Sequence, residues 1–312
     1  MATDQIQPAV KSKPSTQARR LQLSNGTFGF LIVLPALVLM GLVFLYPLFF
    51  SGYTSIQDYD IVRPDRSEFI GLENYTDTLE DAQFQRALTN TFIYVAVALP
   101  IEFTLGLILA MALATIPVGR GILRTLLIIP MMLAPVAMGL MWKFMYNDQF
   151  GIINYLLREF GVNRPPLWLA DPSIALFSVI AVEIWATVPV FVLLLLAGLM
   201  SIPTDYYEAA AIDGAGSIEL FRHITLPLLR PVILVALLIR GMDAFRVFDL
   251  IYVLTGGGPA LRTDVLSYYI YRVAFREHSF GEASSAAWIM MAILLTAGLG
   301  LLYLMRREGK TV

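Results

Sequence analysis

Long apolar blocks, separated by shorter polar segments, dominate the chain. Each block reaches the ~20 residues that an α-helix needs to cross a bilayer. Backbone polar groups in lipid must be satisfied within the segment, so each block predicts a transmembrane helix. Six such helices are predicted, at about residues 28–50, 88–115, 122–146, 172–200, 226–254 and 284–305. Prolines inside four of these blocks predict kinks, at Pro35, Pro100, Pro135 and Pro189.

Composition agrees with this pattern and predicts an all-α, polytopic membrane protein. Of the 312 residues, 57% are hydrophobic and 15% are charged, against about 25% charged in soluble domains. The mean hydropathy is +0.69. The net charge of −2 and the scattered basic residues predict no nucleic-acid partner. With no cysteine and two distant histidines, His223 and His278, no metal site is predicted.

The ends of the chain predict its orientation in the membrane. Residues 1–27 are polar and predict a disordered tail before a membrane domain at 28–312. An even number of spans places both termini on one side. Basic residues divide almost equally between the two sides, but ARR precedes the first span and MRREGK follows the last. The positive-inside rule therefore predicts cytoplasmic termini.

A polar, glycine-containing segment at about 205–227 interrupts the apolar blocks. Asp205 and Glu208 have the spacing of a capping box, which predicts that Asp205 caps a short helix with Glu208 at its third position. Gly214 predicts its sharp end, and Ser217 predicts the cap of a second short helix. The segment is thus a helical hairpin between the fourth and fifth spans, and it would be cytoplasmic. Two interpretations stay open on these residues: an ordinary interfacial helix, or a surface on which another protein packs against small alanines.

The spacing within this hairpin resembles the EAA loop of importer-type ABC transporter permeases. The matching residues are Glu208-Ala209-Ala210, Asp213-Gly214-Ala215 and Leu226-Pro227. Four further segments resemble the carbohydrate branch of that family: GLENY at 71–75, FQRALTNTFIY at 84–94, FGIINYLL at 150–157 and FRVFDLIYVLTGGGP at 245–259. The first outer loop is only about thirty residues long. The closer resemblance is therefore to the compact six-span permeases of glycerol-phosphate and trehalose importers.

This resemblance implies the type I ABC importer permease fold, with six transmembrane helices and a cytoplasmic coupling helix in the bacterial inner membrane. The expected partners are a second homologous permease, a homodimeric ATP-binding subunit, an extracytoplasmic solute-binding protein and the lipid bilayer. The residues expected to couple to the ATPase are Glu208, Ala209, Ala210, Asp213, Gly214 and Ala215. No cofactor and no catalytic residue are expected in this chain, because ATP and magnesium would bind the partner ATPase.

Charged residues in the apolar blocks predict a second site. They are Glu102, Glu183, Arg240, Asp243, Arg246 and Asp249. Such residues usually face a bundle interior or a water-filled path. The i,i+3 spacing predicts the pairs Arg240–Asp243 and Arg246–Asp249. They either lock helices together or line a translocation path for a hydroxyl-rich solute, with Trp142, Trp185 and Phe245 as candidate stacking surfaces.

The rival classes are an ion-coupled secondary transporter and a membrane-embedded enzyme. A carrier would also use intramembrane Glu, Asp and Arg, but it would leave the hairpin unexplained. The chain contains no GxSxG, HExxH or GxxxxGK[ST] motif, so neither hydrolysis nor ATP binding is predicted for it. Disaccharide, polyol, phosphorylated sugar and sulfonated sugar all remain open as the solute.

Overall fold

The structure is a computed structural model that describes residues 25–63, 65, 67–116 and 119–308. The predicted tail lies outside these residues up to position 24. The first apolar block is helical throughout: α1 (Asn25–Met40) runs into a π-helical turn at Gly41–Leu45 and then α2 (Tyr46–Thr54). This block agrees with the first predicted span.

Four more helices in the described residues are long and apolar enough to cross a membrane. They are α4 (Ala82–Thr115), α8 (Ala175–Met200), the segment Ser217–Leu254 and α14 (Phe280–Glu308). Helix α4 begins six residues earlier than predicted. Asp81 caps it, since its carboxylate accepts from the backbone N–H groups of Gln83 and Phe84. Helices α4 and α8 continue through Pro100 and Pro189, as α1 does through Pro35.

The third predicted span is a bent pair and not one straight helix. Helix α5 (Arg120–Ile128) passes into a 3-10 turn at Ile129–Met132, and α6 (Pro135–Met145) follows at an angle of 93°. The chain is extended at Leu133 and Ala134. Ala134 directly precedes Pro135, and the residue before a proline avoids the helical region. The described residues contain six spans if this pair makes one crossing.

The fifth predicted span is also interrupted. Three residues separate helix α11 (Leu226–Phe245) from α12 (Asp249–Leu254). Three short elements precede α11: α9 (Asp205–Ile212), α10 (Ser217–Leu220) and a π-helical turn at Phe221–Thr225. Because of the interruption after Phe245, Asp249 does not follow the helical register of α11. The spacing that predicted its pair with Arg246 therefore does not hold.

Short elements outside the spans complete the fold. Strands β1 (Gln57–Asp58) and β2 (Glu68–Phe69) pair antiparallel. Helices α3 (Glu73–Glu80), α7 (Ile152–Glu159) and α13 (Leu266–Phe275) lie between the long helices. The apolar blocks carried no signal for any of them.

Helices α4, α8 and α11 pack together and position the site. Their shared core is Ala110, Leu113, Val188, Phe191, Val192, Leu195, Leu196, Leu229, Ile233 and Ala236. The backbones of α4 and α8 approach so closely at Gly106 that a Cβ there would lie 2.4 Å from Phe191 Cβ. A glycine is therefore required at this crossing, and it sets the distance between the two helices that carry Glu102 and Glu183.

Candidate functional sites: a charged cavity and an exposed hairpin

Arg240 on α11 is held by two carboxylates from other helices. Its Nη2 donates to Glu183 Oε1 of α8 at 2.8 Å and to Glu102 Oε2 of α4 at 3.3 Å. All three residues are buried, with exposed fractions of 6% for Arg240, 9% for Glu183 and 0% for Glu102. A charge at bilayer depth is costly unless it is paired. The three helices are therefore joined at this point by charge as well as by apolar packing.

The predicted pair between Arg240 and Asp243 is present, with 3.8 Å between Arg240 Nη1 and Asp243 Oδ2. The sequence did not predict the two closer partners, Glu183 and Glu102. The predicted pair between Arg246 and Asp249 is wrong: Arg246 Nη2 pairs with Asp243 Oδ1 at 2.9 Å. Because α11 ends at Phe245, the i,i+3 rule for a continuous helix does not apply across the break.

A cavity of about 420 Å³ lies beside this cluster. Five of the residues predicted for a translocation path line it: Glu183, Arg240, Asp243, Arg246 and Asp249. The remaining wall consists of Pro130, Met131, Leu133, Pro135, Met138, Ala186, Thr187, Val190, Val247, Phe248 and Leu250. The bend before Pro135 and the break after Phe245 both contribute wall residues. The cavity thus combines ionised groups with an apolar surface.

Four predicted path residues are placed elsewhere. Glu102 lies behind Arg240 and does not line the cavity. Trp142 and Trp185 contact each other edge to face, with ring centroids 5.4 Å apart. Phe245 packs edge to face on Phe92 at 5.3 Å and lines a separate apolar groove between α4, α11 and α14. These three aromatic residues contact other rings and do not line the cavity, and Trp185 is 37% exposed.

Thr187 and Phe248 line the cavity but were not predicted. Thr187 lies one helical turn after Glu183 on α8, and its Oγ1 donates to the Glu183 carbonyl at 2.7 Å. Residues at i and i+4 share a helix face, so the sequence did carry a signal for Thr187. Phe248 lies in the break between α11 and α12, which hydropathy does not reveal.

The hairpin at 205–227 consists of two helical arms joined by a tight turn. Gly214 occupies the turn with φ of +82°, the left-handed region predicted for it. The predicted caps are wrong in detail. Helix α9 begins at Asp205 after Thr204, with no side-chain cap bond. Helix α10 begins at Ser217, and Glu219 Oε2 accepts from the Gly216 backbone N–H at 2.9 Å.

One hydrogen bond connects the hairpin arms near their base, and their tips are exposed. The hydroxyls of Tyr207 and Thr225 lie 3.1 Å apart, and Thr225 is buried. At the far end, Ile212 is 87% exposed and Ile218 82% exposed. Of the predicted coupling residues, Glu208, Ala209, Asp213 and Gly214 are exposed, and Ala210 and Ala215 are half-buried. The tips of the hairpin therefore present two exposed isoleucines among polar residues.

A buried ion pair lies outside the spans, in the connection between α12 and α13. Asp264 Oδ2 accepts from Arg272 Nη2 at 3.1 Å, and Arg272 also pairs with Glu277. Burial raises the pKa of Asp264 to about 6, although Arg272 acts in the opposite direction. Neither hydropathy nor motif spacing predicted this pair.

The helices, the charged cavity and the exposed hairpin together define a membrane transport component. Residues 83–307 match the family described as the binding-protein-dependent transport system inner membrane component, and the chain belongs to that family. The chain is 38% identical to the trehalose/maltose transport system permease protein of Thermococcus litoralis, over 88% of this chain and 92% of that protein. It is 35% identical to the sulfoquinovosyl glycerol transport system permease protein of Agrobacterium fabrum, over 89% and 91%.

Solved structures agree with the fold. One chain of a bacterial ABC transporter involved in the import of the acidic polysaccharide alginate has a TM-score of 0.78 and 25% identity, covering 90% of this chain and 95% of that one. The methionine ABC transporter, at a TM-score of 0.51 and 14% identity, shares the fold alone. The protein is therefore a multi-pass inner-membrane permease with the type I importer fold. The ion-coupled carrier is not the class that these likenesses support.

Proposed function

We propose that the chain forms half of the translocation path of an ATP-driven importer for a sugar or sugar-like solute. The observation that most supports this is the charged cavity of about 420 Å³ among helices of membrane-spanning length. Small-molecule sites commonly occupy roughly 300–1,000 Å³. The relatives named above carry trehalose, maltose or sulfoquinovosyl glycerol in their names. A hydroxyl-rich solute agrees with a wall that offers both carboxylates and apolar contacts.

The path residues in this proposal are the five charged residues that line the cavity. Glu183, Asp243 and Asp249 supply carboxylate oxygens that accept hydrogen bonds from hydroxyl groups. Arg240 is held by Glu102 and Glu183, which keeps its guanidinium at a defined position in the wall. Glu102 is thus a positioning residue. Trp142, Trp185 and Phe245 do not line the cavity and are not among these five.

The hairpin couples this path to a separate ATPase subunit. Glu208, Ala209, Ala210, Asp213, Gly214 and Ala215 form the docking segment. The exposed side chains of Ile212 and Ile218 supply its apolar contacts. The bond between Tyr207 and Thr225 connects the segment to the start of α11, which carries Arg240. Movement of the hairpin as a rigid body would therefore be passed to the cavity wall.

Three partners complete the importer. A second, related permease closes the open side of the cavity, and two ATPase copies bind ATP and Mg²⁺. A solute-binding protein delivers the solute from outside. A solved alginate ABC transporter complex includes a periplasmic protein bound to an alginate pentasaccharide. Both termini and the hairpin face the cytoplasm, in agreement with the basic residues that flank the first and last spans.

The test is purification of the tagged chain from cells that express it with the genes beside it. We expect a complex that contains an ATPase and a second permease. In proteoliposomes it should take up a saccharide only with ATP enclosed in the lumen and the solute-binding protein outside. The chain alone should hydrolyse no ATP. Uptake by the chain alone, driven by an ion gradient, would contradict the proposal.

A further inference from the structure

We infer that the cavity is built for neutral polyhydroxylated solutes and repels anionic ones, with Asp249 as the specificity-determining residue. This inference rests on the proposed function of the cavity as the solute path. It divides the solute classes that the sequence leaves open. Disaccharides and polyols are admitted, whereas phosphorylated, sulfonated and uronic sugars are rejected.

The first observation is the balance of charge on the wall. Three carboxylates line the cavity, those of Glu183, Asp243 and Asp249, against the two guanidiniums of Arg240 and Arg246. Glu102 adds a further carboxylate directly behind Arg240, at 3.3 Å. Among the described residues that form this wall, negative groups therefore outnumber positive ones. An anion entering the cavity meets a net repulsion, which is strong where water is scarce.

The second observation is that both guanidiniums already have carboxylate partners. Arg240 Nη2 is bonded to Glu183 and Glu102, and Arg240 Nη1 faces Asp243 at 3.8 Å. Arg246 pairs with Asp243 at 2.9 Å and donates from Nε to the Met242 carbonyl. Binding of a phosphate, sulfonate or carboxylate usually relies on a guanidinium that can present its N–H groups in a fork. At the buried Arg240, an anion would have to displace a protein carboxylate to obtain one. Arg246 is 58% exposed and is held more weakly, through its pair with Asp243.

The third observation concerns Asp249, which is the acceptor left for a solute. It lines the cavity and is exposed, and within the described part of the chain no Lys or Arg nitrogen lies within 4.0 Å of its carboxylate. An ionised carboxylate only accepts hydrogen bonds, and it can accept from two hydroxyls at once. Neighbouring hydroxyls of a neutral sugar match this need, and an anionic substituent does not.

The apolar part of the wall completes the match. Met131, Leu133, Val247 and Phe248 contribute hydrocarbon surface beside the carboxylates. A sugar ring presents C–H groups on its faces and hydroxyls at its edge, so it can use both kinds of surface. A neutral saccharide is therefore complementary to this wall in both charge and polarity.

Charge selectivity can be measured without knowing the solute, by the reactivity of one introduced thiol. The chain contains no cysteine of its own, so an introduced cysteine is its single reactive thiol. Thr187 lines the cavity and is half-buried, so Thr187→Cys places one thiol in the wall. In the assembled transporter, the rate at which this thiol is modified is measured with two methanethiosulfonate reagents, a cationic trimethylammonium compound and an anionic sulfonate. The ratio of the two rates is then divided by the ratio for free 2-mercaptoethanol. We expect the cationic reagent to be favoured by about tenfold, which corresponds to about 1.4 kcal/mol.

The matched control is Asp249→Asn in the same Thr187→Cys background, which should bring the ratio closer to that of the free thiol. Asp249→Lys should invert it. A ratio at or below that of the free thiol, or a thiol that neither reagent reaches, would overturn the inference.

Uptake separates this inference from the function on which it rests. Proteoliposomes that contain the importer receive the solute-binding protein and one probe at a time. Trehalose and maltose are the neutral probes, and glucose 6-phosphate and galacturonate are the anionic probes. Uptake of a neutral probe, without uptake of an anionic one, supports both the sugar importer and the charge selection. Uptake of an anionic probe refutes the charge selection but leaves the sugar importer intact. If no saccharide is taken up by a complex with a charge-selective thiol, the proposed solute class is wrong and the inference about solutes falls with it.

Discussion

Arg240 of α11 and Glu183 of α8 form the shortest ion pair within the buried cluster, with 2.8 Å between Nη2 and Oε1. Fifty-seven residues separate them in the chain. Glu102 of α4 shares the same guanidinium nitrogen. Three separate helices thus meet at one buried charge, beside the cavity that we propose as the solute path.

Removing that charge should destabilise the bundle. In Arg240→Met, the carboxylates of Glu183 and Glu102 remain buried without their cation, and such a loss costs roughly 3–5 kcal/mol. The matched control is Arg246→Met, because Arg246 is largely exposed and its pair should contribute less than about 1 kcal/mol. Thermal unfolding of the two purified variants measures the difference. Equal melting temperatures would contradict the buried cluster.

Charge reversal identifies which partner of Arg240 matters. Arg240→Glu with Glu183→Arg keeps opposite charges at the closest contact, so the bundle should retain most of its stability. Arg240→Asp with Asp243→Arg instead places a carboxylate against Glu183 and Glu102, and that variant should fail to assemble. If the second reversal is as stable as the first, Asp243 is the dominant partner and our description is wrong.

Close packing at Gly106 gives an independent prediction on the same helices. In Gly106→Ala the new methyl group would lie 2.4 Å from Phe191 Cβ, so α4 and α8 must separate. Overpacking of this kind costs roughly 1–3 kcal/mol. Gly300→Ala is the control, since nothing lies within 4 Å of the equivalent Cβ in α14. A melting temperature for Gly106→Ala equal to that of the control would show that the crossing is looser than described.

Asp264 predicts a pH dependence of stability. Burial raises its pKa to about 6 from 3.8, so folding favours the protonated carboxyl. Its contribution to stability is present below pH 3.8 and is lost as the pH rises through about 6. The loss is at most about 3 kcal/mol, at 1.36 kcal/mol per pKa unit. Asp264→Asn should lose less stability than the wild type between pH 4 and 7. Parallel curves of melting temperature against pH would exclude this role.

The sequence predicted the long helices well because bilayer-spanning apolar blocks leave little choice of structure. It could not predict the bend of 93° between α5 and α6, because hydropathy measures length and not direction. It also could not predict that Arg240 meets Glu183, since pair rules along one helix say nothing about partners on other helices. The break after Phe245 explains the wrong partner for Arg246: the helical register on which the prediction depended ends there.

Gly214 allows the geometry of the hairpin to be tested apart from its contacts. At φ of +82° a β-branched residue is strained by roughly 1–3 kcal/mol, although a Cβ there would meet nothing within 4 Å. Gly214→Val should therefore weaken coupling by changing the direction of the hairpin tip. Gly216→Ala is the control, because Gly216 has φ of −79° and its N–H bond to Glu219 is kept. Equal uptake by the two variants would show that the turn does not set the docking geometry.

The most direct test of the account is the coupling between ATP hydrolysis and uptake in Glu208→Lys. Glu208 is exposed in the first turn of α9, so the substitution should leave the membrane bundle folded. Glu80→Lys makes the same change at an exposed position at the end of α3, away from the hairpin. We predict that Glu208→Lys reaches the membrane normally but loses saccharide uptake and substrate-stimulated ATPase activity. Glu80→Lys should keep both activities. Normal uptake and normal stimulated ATPase activity in Glu208→Lys would contradict the claim that this hairpin couples the permease to its ATPase.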